Sequence, residues 1–531
     1  MGGGLMQLVS YGAQDIYISG NPQITFWKVL YKRHTNFAVE AIEVTFNGQA
    51  DFNKRVTAVI NRNADLMYKT YVQVVLPQID LRTQAAGGTF NPTVSPNTSG
   101  FRWLNYIGHR LIKQVEVEIG GQRIDRQYGD WMQIWTQLST DAGTVKALDA
   151  IIGNTHDLVL TKRANGLGLD ATCAASETTI SCVSRQGTPA KTLYIPLQFW
   201  FCRNPGLAIP LIALQYHEVR INVDFETWQN SIYYESQVGV ASTATAQSLA
   251  AASLYVDYVY LDTEERRRFA QQSHEYLIEQ VQYTGAESIT SSSNKIQLNF
   301  NHPVKELFWV IQRDSFVDCS NQAWIASVGG PQPFNYSDDF STEGLIMSLL
   351  SQSSAGGNAA GVAAGTQYPS LGTALLGQGP TQSSSLLGAD TFDFAGTTEF
   401  ESGVNYLLAK VILDSGTRCE GKNPVEVAKL QLNGQDRFTE REGAYFDKVQ
   451  PFQHHSRTPS VGINVYSFAL RPEEHQPSGT CNFSRIDKAT LQLTVSINTV
   501  VSTRTAQVRV YALNYNVLRV MSGMGGLAYS N

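Results

Sequence analysis

Apolar and polar residues alternate along many short segments of the chain. Clear examples are Val115, Val117 and Ile119, and the segments 219–225 and 491–497, where every second side chain is apolar. A period of two predicts strands with one buried face and one polar face, and this pattern is typical of antiparallel sheets. Glycine-containing turn signals separate the segments, as at Gly120-Gly121. The pattern therefore predicts an all-β protein with few helices.

The chain also repeats itself. Segment 115–124 resembles segment 428–438, and aligning Gly121 with Gly434 gives an offset of 313. A second match, of strand 219–223 with strand 491–495, has an offset of 272 and the same order along the chain. Two matches in one order favour two similar β domains. We predict an N-terminal arm at 1–27, a first domain at 28–262, a second domain at 263–520 and a C-terminal tail at 521–531.

Each half offers about seven or eight strand candidates. In the second half they lie near 276–283, 295–300, 304–311, 404–413, 425–432, 462–470, 489–497 and 506–516. Eight antiparallel strands in two sheets make a jelly roll, although the pattern alone does not separate a jelly roll from another sandwich.

The best helical segment lies between the two predicted domains, at about 263–272. Thr263 is placed to cap it, and Glu264 and Glu265 fall in its first turn, where each is able to pair with Arg268. This segment is predicted to be a solvated connector helix.

The composition excludes some classes of function. The chain has 531 residues, 46 acids and 40 bases, for a net charge of −6. A strongly basic nucleic-acid coat is excluded, so no direct nucleic-acid binding is expected. A long insertion at about 314–403 contains nine acids and no Lys, Arg or His. It is predicted to be a surface loop. Its composition does not decide between an exposed outer loop that has a function and a solvated linker that has none.

Targeting and modification signals are weak. The first ten residues lack a basic region, and no run of 18 apolar residues exists, so neither a signal peptide nor a membrane span is expected. The six cysteines contain no CxxC pair and are expected to be reduced. The sequons at Asn97, Asn335 and Asn482 are expected to be chance matches.

The matches to motifs for catalysis or cofactor binding are all incomplete. Segment 416–423 nearly matches a phosphate loop, but Asn423 replaces the required hydroxyl and a strand follows instead of a helix. His217-Glu218 and His274-Glu275 lack the second histidine of HExxH, and the pair His454-His455 is expected to lie in a loop. The sequence predicts no catalytic, cofactor-binding or metal site. A cupin-like enzyme and a carbohydrate-binding module stay as alternatives.

Several stretches resemble the major capsid protein of nucleocytoplasmic large DNA viruses. They are residues 8–17, 20–28 (GNPQITFWK) and 31–37, then 261–269 (LDTEERRRF), 432–438 with 440–443, 467–487 (SFALRPEEHQPSGTCNFSRID), 511–519 (YALNYNVLR) and 522–531 (SGMGGLAYSN). They are spread over almost the whole chain, and the long insertions are where no match is seen.

The resemblance implies a double jelly roll, with two consecutive eight-stranded antiparallel units, and a structural protein of the virion rather than an enzyme. It implies a homotrimer with a pseudo-hexagonal outline, which meets neighbouring capsomers and tiles an icosahedral shell over an internal membrane. It also implies contact of the arm at 1–27 with minor capsid proteins, and synthesis and assembly in the host cytoplasm.

Overall fold

The structure is a computed structural model. It describes residues 2–27, 29–80, 100–159, 162–164, 182–184, 187–237, 240–241, 246–317, 330–338, 421–501 and 504–529. Within these ranges the main strands form two sets of eight, and every pairing among them is antiparallel. The predicted all-β, antiparallel architecture is confirmed.

The first set forms two facing sheets in the order β1-β8-β3-β6 and β2-β7-β4-β5. Its strands are β1 (Phe37–Val44), β2 (Arg55–Val59), β3 (Leu66–Leu76), β4 (Ile112–Ile119), β5 (Gln122–Tyr128), β6 (Lys191–Pro196), β7 (Val219–Phe225) and β8 (Ala251–Leu261). Shorter strands are Ile79–Asp80, Gly100–Trp103, Lys162–Ala164, Cys182–Ser184, Gly187–Thr188, Ile209–Pro210, Ile232–Gln237 and Val240–Ala241.

The second set repeats this order as β9-β16-β11-β14 and β10-β15-β12-β13. Its strands are β9 (His274–Ile289), β10 (Ser293–Leu298), β11 (Pro303–Arg313), β12 (Val425–Leu432), β13 (Gln435–Asp436), β14 (Ile463–Ser467), β15 (Ala489–Val495) and β16 (Ala506–Met521). Short strands Arg441–Glu442, Cys481–Asn482 and Met524–Leu527 pair with β12, β11 and β16. The strand candidate at 404–413 lies outside the described residues.

The sequence repeat corresponds to a structural repeat. Its first match places β4 and β12 in the same position of their sheets, each followed by a glycine turn, and its second match does the same for β7 and β15. In both sets the alternating apolar residues face inward. Val72 and Val74 belong to the first core, and Leu307 and Trp309 belong to the second. Two packed antiparallel sheets of four strands are the jelly-roll arrangement.

The described helices are short; the first two precede β1 and the others lie between strands. They are α1 (Gly3–Val9), α2 (Ile16–Ser19), α3 (Ile107–Leu111), α4 (Gly129–Ser139), α5 (Val145–Ile152), α6 (His156–Val159), α7 (Trp200–Arg203), α8 (Thr263–Gln271) and α9 (Gln450–His454). A π-helical turn, Tyr445–Val449, leads directly into α9. Single 3-10 turns occupy Ala13–Asp15, Pro205–Leu207, Asp314–Phe316 and Phe483–Arg485.

Helix α8 is the predicted connector, with two differences in detail. Its cap is Asp262, whose carboxylate accepts a hydrogen bond from the amide of Thr263, so Thr263 is the first helical residue. The predicted pairing with Arg268 is wrong for Glu264, which lies 3.3 Å from Arg267 instead. Arg268 instead donates a hydrogen bond to Gln272.

Parts of the predicted insertion and tail pack onto the second set of strands. Phe334 and Tyr336, from the described stretch 330–338, are buried against its sheet, and the rest of 318–403 lies outside the described residues. The segment predicted as a tail folds back as Met524–Leu527 on β16, where Gly525 and Leu527 contact residues of the first set.

Candidate assembly interfaces

A contact between the two sets of strands is built by helix α4. Its apolar side chains Trp131, Ile134, Trp135 and Leu138 follow a helical spacing and form a single stripe. The stripe packs on the outer face of sheet β9-β16-β11-β14, where Trp131 lies 5.0 Å from Phe308 and 5.8 Å from Tyr511 between ring centroids. A face that would otherwise meet water is thereby buried.

A polar contact fixes the position of this helix. Asp130, in the first turn of α4, lies 2.6 Å from Arg509 of β16. Burial alone would lower the pKa of Arg509, but Asp130 raises it above its ordinary value. A carboxylate at a helix N-terminus is also favoured by the helix dipole. Nearby, the backbone amide of Val281 donates to Asp125, so strands β5 and β9 are tied as well.

Buried charges lie beside Trp135. Arg203 of α7 and Lys305 of β11 both pair with Glu279 of β9, at 2.9 and 2.5 Å. Burial raises the pKa of Glu279, but the two cations outweigh burial and leave the pKa below its usual value. Arg203 also stacks over the ring of Trp135 at 4.7 Å. The cluster therefore links the first set of strands to the second through charges that are paired.

The cluster continues to His455, which follows α9. Its two ring nitrogens lie 3.1 Å from Glu306 and 3.0 Å from Glu473. Burial lowers the pKa of His455, but the two carboxylates raise it to about 9. With His455 protonated, the cluster has three cations and three carboxylates and therefore no net charge. Its members are Arg203, Lys305, His455, Glu279, Glu306 and Glu473.

The expectation that His454 and His455 lie in a loop is wrong for His454, which is the last residue of α9, and is confirmed for His455, which follows that helix. The side chain of His455 is buried and lies between two carboxylates. Glu306 lies on β11, 149 positions before His455, and Glu473 lies in a loop 18 positions after it, so no local motif marked the site. His217 and His274 instead contact the carbonyls of Gly525 and Phe269. Among the described residues, no group of three or more His, Cys, Asp and Glu is arranged to hold a metal ion.

The other motifs lie in structural roles where they are described. Asn423 ends the rejected phosphate-loop match and contacts Gly443 and Asn464 through its amide, ahead of a strand. Asn335 and Asn482 use their side chains in local turns. Burial raises the pKa of the Cys202 thiol to about 12. Asn97 and segment 416–420 lie outside the described residues.

The N-terminal segment presents apolar side chains to solvent. In residues 2–27 and 29–36 no side chain is buried, and the exposed fraction is 86% for Trp27 and 80% for Leu8. Tyr17, Ile18, Ile24 and Phe26 are at least as open as these. So many large apolar side chains without cover indicate a surface that another molecule buries. No helix in the described ranges has the length and apolar character needed to cross a bilayer.

Comparison with known proteins identifies the family. Residues 265–526 match the model of the large eukaryotic DNA virus major capsid protein, and residues 25–262 match that of the major capsid protein N-terminus. The chain is 55% identical to the major capsid protein of Phaeocystis pouchetii virus, over the full length of both chains. It belongs to the major capsid protein family of large eukaryotic DNA viruses. The corresponding protein of Paramecium bursaria Chlorella virus 1 is 37% identical, again over both full chains.

Solved structures of capsid proteins share the fold. A chain of the PBCV-1 virus capsid is 31% identical with a TM-score of 0.60, and the match covers 96% of this chain and 100% of that one. The Faustovirus major capsid protein is 14% identical with a TM-score of 0.62 and matches 96% and 94% of the two chains. The double jelly roll is thus confirmed. This capsid protein is a structural component of the virion and not an enzyme.

Proposed function

We propose that three copies of this capsid protein form a pseudo-hexagonal capsomer, and that such capsomers tile the faces of an icosahedral shell. The observation that carries the proposal is the repeat of one strand order, β1-β8-β3-β6 and β9-β16-β11-β14, within a single chain. Two similar units in each of three chains give a ring of six, which packs in a hexagonal lattice. Three copies of a 58.5 kDa chain have a mass of about 175 kDa.

Light scattering on the purified protein tests the trimer, at low and moderate salt. A salt-resistant mass near that of three chains is expected, because a mainly apolar interface is screened little by ions. Images of single particles should show hexagonal outlines. A folded monomer at all concentrations would contradict the proposal. Defined glycan affinity of that monomer would then favour a carbohydrate-binding module.

The arm at 1–27 is proposed to bind minor capsid proteins on the inner side of the shell, close to an internal membrane that the chain itself does not cross. The exposed apolar residues of the arm support this role. Deleting residues 2–27 should leave the solution mass per trimer nearly unchanged and prevent incorporation into particles in infected host cells. A matched variant is F26S/W27S. Normal incorporation of both variants would contradict the role of the arm.

We also propose that the chain is made and assembled in the host cytoplasm. As a separate proposal, residues 28–262 and 263–520 form two domains. Expressing each range alone tests the division, and a cooperative unfolding transition of either piece would support it. Fluorescence microscopy of tagged protein in infected cells tests the place of assembly, and a nuclear signal would contradict it.

A further inference from the structure

The two sheets that share one strand order differ in what lies on their outer faces. Helix α4 covers the outer face of β9-β16-β11-β14. On β1-β8-β3-β6 the same face carries Tyr71, Tyr194 and Tyr255, which are half-buried or exposed. Tyr71 stacks on Tyr255 with centroids 5.4 Å apart and meets Tyr194 edge-on at 5.9 Å. We call these three residues the tyrosine face.

Strand register shows that the tyrosine face is the counterpart of the covered face. Tyr71 pairs with Tyr255 across β3 and β8, as Phe308 pairs with Tyr511 across β11 and β16. Two residues further along, Gln73 pairs with Tyr194, as Val310 pairs with Ile463. Tyr71 and Tyr255 thus occupy the positions in the first set that correspond to Phe308 and Tyr511, the residues that Trp131 contacts in the second set.

The second set also has a counterpart of α4. The helical segment 445–454 follows β12 and β13 as α4 follows β4 and β5. A shift of 314, one more than the sequence repeat, carries Trp131, Trp135 and Leu138 to Tyr445, Val449 and Phe452. The extra residue lies between the glycine turn and the helix, because Gly129 and Gly443, which begin the two helical segments, already align at a shift of 314. We call Lys448, Val449 and Phe452 the helix stripe.

No described residue covers the helix stripe. Phe452 is 82% exposed and Val449 is 39% exposed, whereas Phe446 and Gln450, on the other side of the segment, are buried. Phe446 holds the buried side of the segment in the second core, so Phe452 lies on the side that faces away from it. An aromatic side chain with this exposure is a typical anchor of a protein interface.

Charges on the two surfaces are complementary. The tyrosine face is bordered by the carboxylates of Glu43 and Asp257, and Tyr255 donates a hydrogen bond to Glu43. The helix stripe carries Lys448, whose side chain is 47% exposed. At the contact inside the chain the signs are opposite, because the helix supplies Asp130 and the sheet supplies Arg509. Inside the chain the helix thus meets a sheet of opposite charge, and the helix stripe and the tyrosine face also carry opposite charges.

We infer that the helix stripe of one chain packs on the tyrosine face of a second copy, in the way that α4 packs on the second sheet within the chain. This contact rests on the proposed trimer and specifies its interface. A closed ring of six units has six contacts. Three are the contacts of α4 inside the chains, and the other three join one chain to the next through the helix stripe.

The test compares two substitutions of exposed apolar residues by light scattering across a range of protein concentrations. F452E places a charge in the contact, and the concentration at which half the trimer dissociates should rise at least about 30-fold. The matched control is I497E, because Ile497 is 73% exposed and lies in the turn after β15, on the opposite sheet. I497E should leave the dissociation midpoint unchanged. Circular dichroism of both variants checks the fold.

A disulfide cross-link locates the contact directly. Val449 is the counterpart of Trp135, which lies 6.4 Å from Phe308, and Phe308 is the counterpart of Tyr71. The double variant V449C/Y71C should give covalent dimers and trimers on a non-reducing gel, whereas each single variant should give monomers. Such cross-links support the contact even if F452E is tolerated.

The outcomes separate this contact from the capsomer proposal. A wild-type protein that stays monomeric overturns both. A wild-type trimer whose dissociation midpoint is unmoved by F452E, with no cross-link in V449C/Y71C, overturns the contact and leaves the trimer standing. Dissociation by I497E and F452E alike, without the cross-link, also overturns it, because the effect would then not depend on the helix stripe.

Discussion

Two faces with one strand order, the outer face of β9-β16-β11-β14 and the tyrosine face, are built from different side chains. The first carries Phe308, Val310 and Leu513, all fully buried beneath α4. The second carries tyrosines, whose rings are apolar and whose hydroxyls are polar, and the hydroxyl of Tyr255 donates to Glu43. A face covered during folding tolerates purely apolar residues, whereas a face that waits for a partner must be compatible with solvent first. The covered face therefore stabilises the fold of one chain, whereas the tyrosine face is suited to a contact made during assembly.

The largest effect is expected beneath the covered face. Trp131→Ala removes a fully buried ring between Phe308 and Tyr511, and should lower the free energy of unfolding by about 3–5 kcal/mol. Phe452→Ala, on the counterpart helix, should change it by less than about 0.5 kcal/mol, because the side chain is exposed. Denaturant titrations at concentrations where the chain is monomeric give both values. Equal losses would show that the two helices are equivalent in the isolated chain.

The charges beside α4 are expected to matter nearly as much. Lys305→Met leaves Glu279 with Arg203 alone inside the protein, and breaking a buried pair in this way costs about 3 kcal/mol. The exposed pair Arg471–Glu474 is the control, and Arg471→Met should cost less than about 0.5 kcal/mol. The same denaturant titrations apply. A stable Lys305→Met protein would mean that the junction does not depend on this cluster.

The alternation, the repeat and the double jelly roll were predictable from the sequence, because they depend on local periodicity and on motifs such as 467–487. The cluster around His455 was not predictable. Glu306 and Glu473 meet this histidine only after β11, α9 and a distant loop have packed, and no spacing along the chain records that meeting. The cap of α8 was misplaced by one residue for a simpler reason, since Asp262 and Thr263 are both good caps.

Burial of the outer sheet face was also not predictable from the strand pattern. Alternation, as in β4 and β7, predicted one buried and one polar side for each strand. It did not predict that the outer side of β11 is buried too, because the covering residues come from α4, more than a hundred positions earlier. Continuous burial along β11 is a tertiary effect. The sequence signal that accompanies it is the unbroken apolar run 307–311.

Two buried histidines extend the comparison to pH. Burial lowers the pKa of His109 to about 4, whereas Glu306 and Glu473 raise that of His455 to about 9 despite burial. Because the folded pKa of His455 exceeds its unfolded value near 6.5, its contribution is fully present below pH 6.5. It is lost as the pH rises through 9, by up to about 3 kcal/mol.

Urea titrations between pH 6.5 and 9 measure this loss. His455→Gln should flatten the pH dependence in that interval, and His109→Gln should leave it unchanged, since His109 titrates on the acid side. Its own contribution is present above pH 6.5 and falls as the pH drops toward 4. An alkaline loss that persists in His455→Gln would place its origin elsewhere.

The smallest effect is expected at the tyrosine face of the separated chain. Tyr71→Ala removes the stacked pair with Tyr255, and such pairs contribute about 0.5–1.5 kcal/mol. Its matched control on the covered face is Phe308→Ala, for which about 3–5 kcal/mol is expected because Phe308 is fully buried. Denaturant titration of the monomer should therefore rank Phe308→Ala far above Tyr71→Ala, while light scattering should show that Tyr71→Ala dissociates the trimer. A large stability loss from Tyr71→Ala in the monomer would mean that the tyrosine face already serves the fold, and the distinction between the two faces would then fail.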